Sequence, residues 1–312
     1  MVTAALLCPG QGAQKVGMGR DVAEAFPSAR EVFGLVDDAL GIQLSTIMWE
    51  GPEEQLTLTH NAQPAILTHS LAVHTVVSDV LHPVVGAGHS LGEYSAYAAA
   101  GALQIADAAR LVRRRGELMF EAGRQRPGTM AAVIGLDPDR VIEICREASS
   151  GDRVAVGANF NAPDQTVISG DPEAVRRAAA LLKEASAKRV LPLKVSGAFH
   201  SPLMDPAEQG LLAELEQVAL ADPSFPVVAN ATAEAVTDAA GAARGLGMQL
   251  TAPVRWVASV KKMAELAGNG AVFVEVGPGS VLSGLLRRIV PGTSGASLDT
   301  AEQIHSFLER HA

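Results

Sequence analysis

The chain has only two cysteines in 312 residues, Cys8 and Cys145. One sits in a strand-like run and the other in a helix-like run, and no C-x-x-C or Cys/His spacing surrounds either. This excludes a disulfide framework and gives no ligand set for a metal. Both read as buried free thiols in a reducing compartment. No stretch approaches the ~18 to 20 apolar residues of a membrane-spanning helix. The opening run, Met1 to Pro9, has no basic flank and too few apolar residues for a secretory signal. Positive charge is also scarce: 25 Lys and Arg stand against 34 Asp and Glu, a net charge of -9. Binding to phosphate backbones needs a concentrated basic surface, so nucleic acid is a poor partner. A cytoplasmic protein without membrane or nucleic-acid contacts is expected.

Apolar residues, by contrast, make up 48% of the chain, enough for a large core. Strand and helix signals alternate almost throughout, which predicts an α/β fold with a mostly parallel sheet. Thr3 to Cys8 reads as the first strand, closed by Pro9-Gly10-Gln11-Gly12. Helices are expected over 28–40 with Ser28 as N-cap, over 63–80 opened by Pro64, and over 107–121. After Pro127-Gly128 the pattern changes. Strands at 129–134, 153–160, 165–169 and 188–195 enclose helices at 138–148 and 171–185, the second capped by Asp171. The turn Asn161-Ala162-Pro163-Asp164 joins the middle strands. The order β-α-β-β-α-β is ferredoxin-like. It assigns residues 128–198 to an inserted subdomain, with 1–127 and 199–312 forming a hydrolase-like core. Later strands are expected at 226–229 and 271–276, and later helices at 281–290 and 301–310.

The richest local feature is Gly88-His89-Ser90-Leu91-Gly92, of the form G-x-S-x-G. The apolar run Val84 to Ala87 precedes it and a helix-like run from Glu93 to Ala100 follows. A strand turning sharply into a helix strains the serine backbone and lifts its hydroxyl clear of the sheet. The following N–H, that of Leu91, then points where a carbonyl oxygen would turn negative.

A serine hydroxyl needs a base to act as a nucleophile. Of eight histidines, His200, His305 and His311 follow Ser90, the chain order of hydrolase-like folds. The last two fall in the terminal helix. His200 lies in the loop Ser196-Gly197-Ala198-Phe199-His200-Ser201, directly after a strand. No third acid stands out, since the aspartates between Ser90 and His200 occupy turns and helix starts. A dyad with the imidazole oriented by a carbonyl remains workable. The Gln11 N–H, in the loop after the first strand, is the natural second oxyanion donor. That loop lacks both nucleotide-binding glycine spacings. Arg113, Arg114 and Arg115 are consecutive on a helix, so they cannot all face one pocket; one buried arginine would mean a substrate carboxylate.

Together these segments resemble the malonyl-CoA:acyl-carrier-protein transacylase family of fatty-acid and polyketide synthesis. The likeness rests on six ordered motifs: Pro9-Gly10-Gln11-Gly12-Ala13-Gln14, Gly88 to Ala96, Asn159-Phe160-Asn161-Ala162-Pro163, Gly197-Ala198-Phe199-His200-Ser201, Gln249 to Trp256, and Glu275-Val276-Gly277-Pro278-Gly279. The resemblance implies Ser90 as acyl-accepting nucleophile and His200 as base and then acid. It implies a Gln249 main-chain carbonyl orienting the imidazole, and Gln11 and Leu91 as oxyanion donors. Arg115 would pair with the malonyl carboxylate, Gln63 would be a pocket-side residue, and Phe199 would crowd the substrate α-carbon. Coenzyme A enters as a thioester substrate, with no cofactor and no metal. Malonyl-CoA and acyl carrier protein are the expected partners of a monomer. Lys188, Arg189, Lys261, Lys262, Arg287 and Arg288 are candidates for the carrier-protein surface. A serine esterase or thioesterase would share Ser90 and His200 but not Arg115, and a non-catalytic carrier-binding module would need none of the three. A free-standing acyltransferase serving a polyketide synthase would share all three.

Overall fold

The computed structural model describes residues 1–311. Its ten strands are β1 (Val2–Cys8), β2 (Leu81–Gly88), β3 (Thr129–Ile134), β4 (Ala155–Ala162), β5 (Gln165–Gly170), β6 (Arg189–Pro192), β7 (Val227–Val228), β8 (Ala235–Val236), β9 (Val272–Val276) and β10 (Gly295–Leu298). Six of them form one sheet in the order β10-β9-β1-β2-β7-β8. All its pairings are parallel except the short β7–β8 turn. β1 lies at the centre and reads Ala4-Ala5-Leu6-Leu7-Cys8, all fully buried. A strand covered on both faces must be apolar at every position rather than at alternate ones. Helices Thr59–Val77, Gly92–Ala99 and Ile105–Gln125 cover one face. Trp256–Ala267 and Val281–Ile289 cover the other.

The second sheet is antiparallel, with order β4-β5-β3-β6. This is the ferredoxin-like arrangement, with helices Pro138–Ala148 and Pro172–Glu184 packed over a separate core of Val133, Ile144, Ile168 and Leu182. Two backbone bonds tie this sheet to the main body: Phe160 N donates to Val254 O at 2.9 Å and Val254 N to Ala158 O at 2.8 Å.

Several local expectations are corrected. The second helix runs Pro27–Leu40, with Phe26 rather than Ser28 at the cap position and no side-chain cap bond. Pro27 presets the helical φ and starts the helix one residue early, leaving Ser28 inside the first turn. The long helix begins at Thr59, so Pro64 lies inside it rather than opening it. Proline there deprives the His60 carbonyl of its N–H donor, and Arg113 Nη1 donates to that carbonyl at 3.2 Å. Asp171 does precede Pro172–Glu184, but its side chain makes no bond to that helix. It accepts instead from Val154 N at 2.8 Å and from Arg126. β4 carries on through Asn161 and Ala162, so the turn is only Pro163-Asp164, and β6 stops at Pro192.

Glu275 ends the central part of the sheet with a buried carboxylate. Oε1 accepts from Leu282 N at 3.0 Å and Oε2 from Ser283 N at 2.7 Å. It thereby caps the helix Val281–Ile289 from the neighbouring strand, a role a local N-cap residue normally fills. Glu275→Ala should lower unfolding stability by about 2 kcal/mol, the worth of charge-assisted bonds to otherwise orphaned amides. Urea unfolding checks this, and an unchanged midpoint would deny the cap its role.

Candidate active site

β2 ends at Gly88, and the helix Gly92–Ala99 begins four residues later. A Cβ on Gly88 would lie 1.9 Å from the Gly92 carbonyl, and one on Gly92 would lie 2.2 Å from the Cys8 carbonyl. Both glycines are therefore dictated by backbone contact. Between them Ser90 adopts φ 53°, in the left-handed region. That conformation costs a residue with a side chain on the order of 1 to 3 kcal/mol. Asn230, in the β7–β8 turn, holds it: Oδ1 accepts from Ser90 N at 2.7 Å and Nδ2 donates to Gly88 O at 2.7 Å.

His200 also has a positive φ, 56°. Its Nε2 lies 2.8 Å from Ser90 Oγ. Its Nδ1 faces two carbonyls, Gln249 O at 3.0 Å and Ala252 O at 3.2 Å. Carbonyls only accept, so Nδ1 carries the proton and Nε2 is left to accept from the serine hydroxyl. Burial, reinforced by the charge of Arg115, pushes the imidazole pKa down to about 3. The ring is therefore neutral at physiological pH, the form that can take a proton.

Among the three consecutive arginines, Arg113 and Arg114 are partly exposed and pair with Glu117 and Glu214. Arg115 is 1% exposed. It donates through Nη1 to Gln63 Oε1 at 2.8 Å, and through Nη2 to Gln249 Oε1 at 2.8 Å and Ser90 Oγ at 3.0 Å. Its guanidinium carbon lies 5.7 Å from the Tyr94 ring centre. Ser90 Oγ therefore donates to His200 and accepts from a cation, both of which favour loss of its proton. The Gln249 side chain continues the network. Nε2 donates to Ser90 O at 3.0 Å and to Glu93 Oε2 at 2.7 Å.

The Gln11 and Leu91 amides donate to no acceptor among the described residues. Gln11 lines a cleft of about 730 Å³ whose wall also includes His89, Ser90, Met119, Phe199 and His200, and Leu91 is buried next to Ser90. Phe199 is nearly buried there. None of the six basic candidates for a carrier-protein surface lines this cleft; its lysine is Lys194. The structure thus gathers Ser90, His200, Arg115, Gln63, Gln249, Gln11, Leu91 and Phe199 at one place. Among the described residues no group of three His, Cys, Asp or Glu could hold a metal, and no helix is long and apolar enough to cross a membrane.

Sequence reasoning missed Glu93, Asn230, the Ala252 carbonyl and the pair His89 Nε2–Asn161 Oδ1 at 2.8 Å. Glu93 had a signal, as a lone charge in the apolar run that follows Ser90. Asn230 had none.

The acyl transferase domain family matches residues 5–301. The malonyl CoA-acyl carrier protein transacylases of Escherichia coli K12 and Bacillus subtilis 168 are each 43% identical. The former aligns over 99% of this chain and 100% of its own length, the latter over 91% and 90%. A transacylase structure from Xanthomonas oryzae superposes with TM-score 0.94 at 39% identity, covering 100% of this chain and 99% of its own. Another, a malonyl-transacylase solved with a type II polyketide acyl-carrier protein, gives TM-score 0.93 at 40% identity over 99% and 100%. The fold and the family match define an acyltransferase. Within that class the chain belongs to the malonyl-CoA:acyl carrier protein transacylase family.

Two measurements test the geometry. Asn230→Ala leaves a buried Ser90 N–H without an acceptor, which costs about 1 to 3 kcal/mol. It should slow labelling of Ser90 by a sulfonyl fluoride, and labelling at the wild-type rate would show that the turn holds itself. His200 also links stability to pH. Unfolded, the imidazole binds a proton near its ordinary value of 6.5; folded, it does not until about 3. Its contribution is complete above 6.5 and is lost as pH falls below it. At pH ~5 the loss approaches about 2 kcal/mol. Replacing His200 by Gln should flatten the fall in urea stability between pH ~7.5 and ~5 by that amount.

Proposed function

We propose that the protein transfers the malonyl group of malonyl-CoA to the phosphopantetheine thiol of acyl carrier protein through a malonyl-serine ester. The observation that carries this reading is a buried, charged Arg115 within hydrogen-bond distance of the nucleophile Ser90. A hydrolase of neutral esters has no use for a guanidinium at that point. A malonyl group brings a carboxylate, which guanidinium binds in paired, charge-assisted hydrogen bonds.

In the first half-reaction Ser90 Oγ attacks the thioester carbonyl while its proton passes to His200 Nε2. The Gln11 and Leu91 amides receive the developing oxyanion, and losing one such donor costs roughly 3 to 4 kcal/mol of transition-state stabilisation. Collapse breaks the C–S bond, and His200 returns the proton to the departing coenzyme A thiolate. The Nδ1–H, held on two carbonyls, keeps the imidazolium in register throughout. In the second half-reaction the carrier thiol loses its proton to His200 and attacks the ester; collapse breaks the C–O bond, and His200 returns the proton to the departing Ser90 oxygen. Protons and bonds balance with the acyl thioester and the carrier thiol as the two co-reactants, so the proposal includes no cofactor. The proposal takes the protein to be a cytoplasmic monomer.

Arg115 has a double duty in this scheme. It holds Ser90 Oγ before loading and turns toward the acyl carboxylate afterwards. Phe199, against the cleft, limits bulk at the substrate α-carbon; an added methyl is disfavoured by only about 1 to 3 kcal/mol. Fatty-acid and polyketide carrier proteins present the same thiol, and the relative solved with a polyketide carrier protein makes service to a polyketide synthase the second reading.

Intact-mass measurement after brief exposure to malonyl-CoA should show one malonyl adduct that acyl carrier protein removes, and none in Ser90→Ala. Thioester loss to water without an adduct would favour a hydrolase. Arg115→Ala should reduce kcat/KM for malonyl-CoA by about a hundredfold, the worth of a charge-assisted pair, and for acetyl-CoA by much less. Equal losses would make Arg115 structural. Rates with fatty-acid and polyketide carrier proteins, compared side by side, separate the two pathways.

A further inference from the structure

We propose that Glu93 is a positioning residue for this acyl transfer: its buried carboxylate fixes the Gln249 side chain and the Asn230 backbone, and through them sets Arg115, His200 and Ser90. The inference rests on the function proposed above. Glu93 lies in the first turn of Gly92–Ala99 and is fully buried. It does not line the cleft and touches no reacting atom. Its Oε2 accepts two bonds, from Gln249 Nε2 at 2.7 Å and from Asn230 N at 3.1 Å.

Each of those partners leads to the chemistry. The two ends of a glutamine amide are not interchangeable, since one only donates and the other only accepts. A carboxylate at the Nε2 end forces Oε1 toward Arg115, where it accepts from Nη2. With the amide reversed, its NH2 would face the guanidinium, donor against donor. The main-chain carbonyl of the same residue seats His200 Nδ1. Asn230, the second partner, receives the Ser90 N–H and so maintains the left-handed turn. One carboxylate therefore stands behind three functional groups from three separate segments.

A stabilising role alone is a poor explanation. Burying a carboxylate is expensive, and an apolar side chain of similar volume commonly serves stability as well or better. Burial raises the Glu93 pKa to about 7, against the pull of the bonds from Gln249 and Asn230 and the field of Arg115. In its ionised form Glu93 is the carboxylate that this cation meets, through the Gln249 amide.

The test uses Glu93→Gln, which keeps the shape and removes the charge. Two readouts are followed by intact mass. Labelling of Ser90 by phenylmethylsulfonyl fluoride reports the Ser90–His200 pair without regard to the natural acyl group. Adduct formation with malonyl-CoA and with acetyl-CoA reports the aim of Arg115. The expected result is a folded variant that labels at least about tenfold more slowly and loses at least about tenfold in malonyl-over-acetyl preference, the worth of a hydrogen bond to a charged group. A folded variant with both quantities at wild-type level overturns the proposal.

The exchange Glu93→Gln with Gln249→Glu is the second variant. It restores the bond between the two positions with donor and acceptor reversed, gives up the Gln249 Nε2 bond to Ser90 O, and puts a carboxylate directly on Arg115. Labelling by the sulfonyl fluoride should recover in part while malonyl preference stays lost. If Glu93→Gln does not fold, a folded exchange variant that keeps wild-type malonyl preference overturns the proposal. A wild-type protein that reacts with the sulfonyl fluoride but not with malonyl-CoA would overturn the proposed function, and the sulfonyl fluoride comparison would still decide the role of Glu93.

Discussion

A guanidinium removed from water sets the terms for everything around it. Arg115 is 1% exposed, and an ion so placed costs several kcal/mol unless its N–H groups find acceptors. Gln63, Gln249 and Ser90 supply them, and the Tyr94 ring lies alongside. None of these partners is an anion; Nη1 and Nη2 are bonded, while the buried Nε finds no partner among the described residues. The positive charge also acts on His200, adding to burial in keeping the imidazole unprotonated. One buried cation thus donates to the serine hydroxyl and adds to the burial that leaves the histidine a neutral acceptor. A lysine would supply the charge without the fork that reaches Gln63, Gln249 and Ser90 together.

The second constraint is backbone strain. Both members of the Ser90–His200 pair occupy the left-handed region, which side chains other than glycine and asparagine rarely visit. Neither residue can relax. Ser90 is clamped between glycines that touch backbone on both sides, with Asn230 taking its N–H. His200 follows Phe199, itself packed into the core, and its ring is held by two carbonyls. The parallel sheet supports the clamp, since β2 pairs with β1 over seven residues, of which Ala4 to Cys8 are fully buried.

How much of this was legible depends on how local each signal was. The alternation of strands and helices, the ferredoxin-like order and the nucleophile turn are written in contiguous residues. They appear in the structure with boundaries displaced by a few positions. The displaced boundaries have long-range causes. Pro64 sits inside a helix because Arg113, forty-nine residues away, serves the carbonyl that proline leaves bare. Asp171 fails to cap its helix because Val154 and Arg126 draw its carboxylate away. Family resemblance pointed to Gln249 through its main-chain carbonyl, but its side chain does as much, bonding Arg115, Ser90 and Glu93. Asn230 carried no local mark, because its importance comes only from where the β7–β8 turn brings it.

The inserted subdomain takes part in the same geometry. Its strand β4 exchanges two backbone bonds with Val254, in the loop whose Gln249 and Ala252 carbonyls seat His200. From the same strand Asn161 reaches His89, the residue before the nucleophile, whose ring lies 5.4 Å from that of Trp256. The insert therefore meets, from one strand, both the residue before Ser90 and the loop that seats His200. Its core is separate from that of the main body, so it can form its own sheet, yet the imidazole's carbonyl seat is finished only when β4 docks on Val254. The cleft lies between the two bodies, lined by Gln11, Ser90 and His200 from one and by Asn159, Asn161 and Val167 from the other. β4 thus meets the loop that seats the imidazole and the residue before Ser90 at one edge of the cleft, where the serine and the histidine stand 2.8 Å apart.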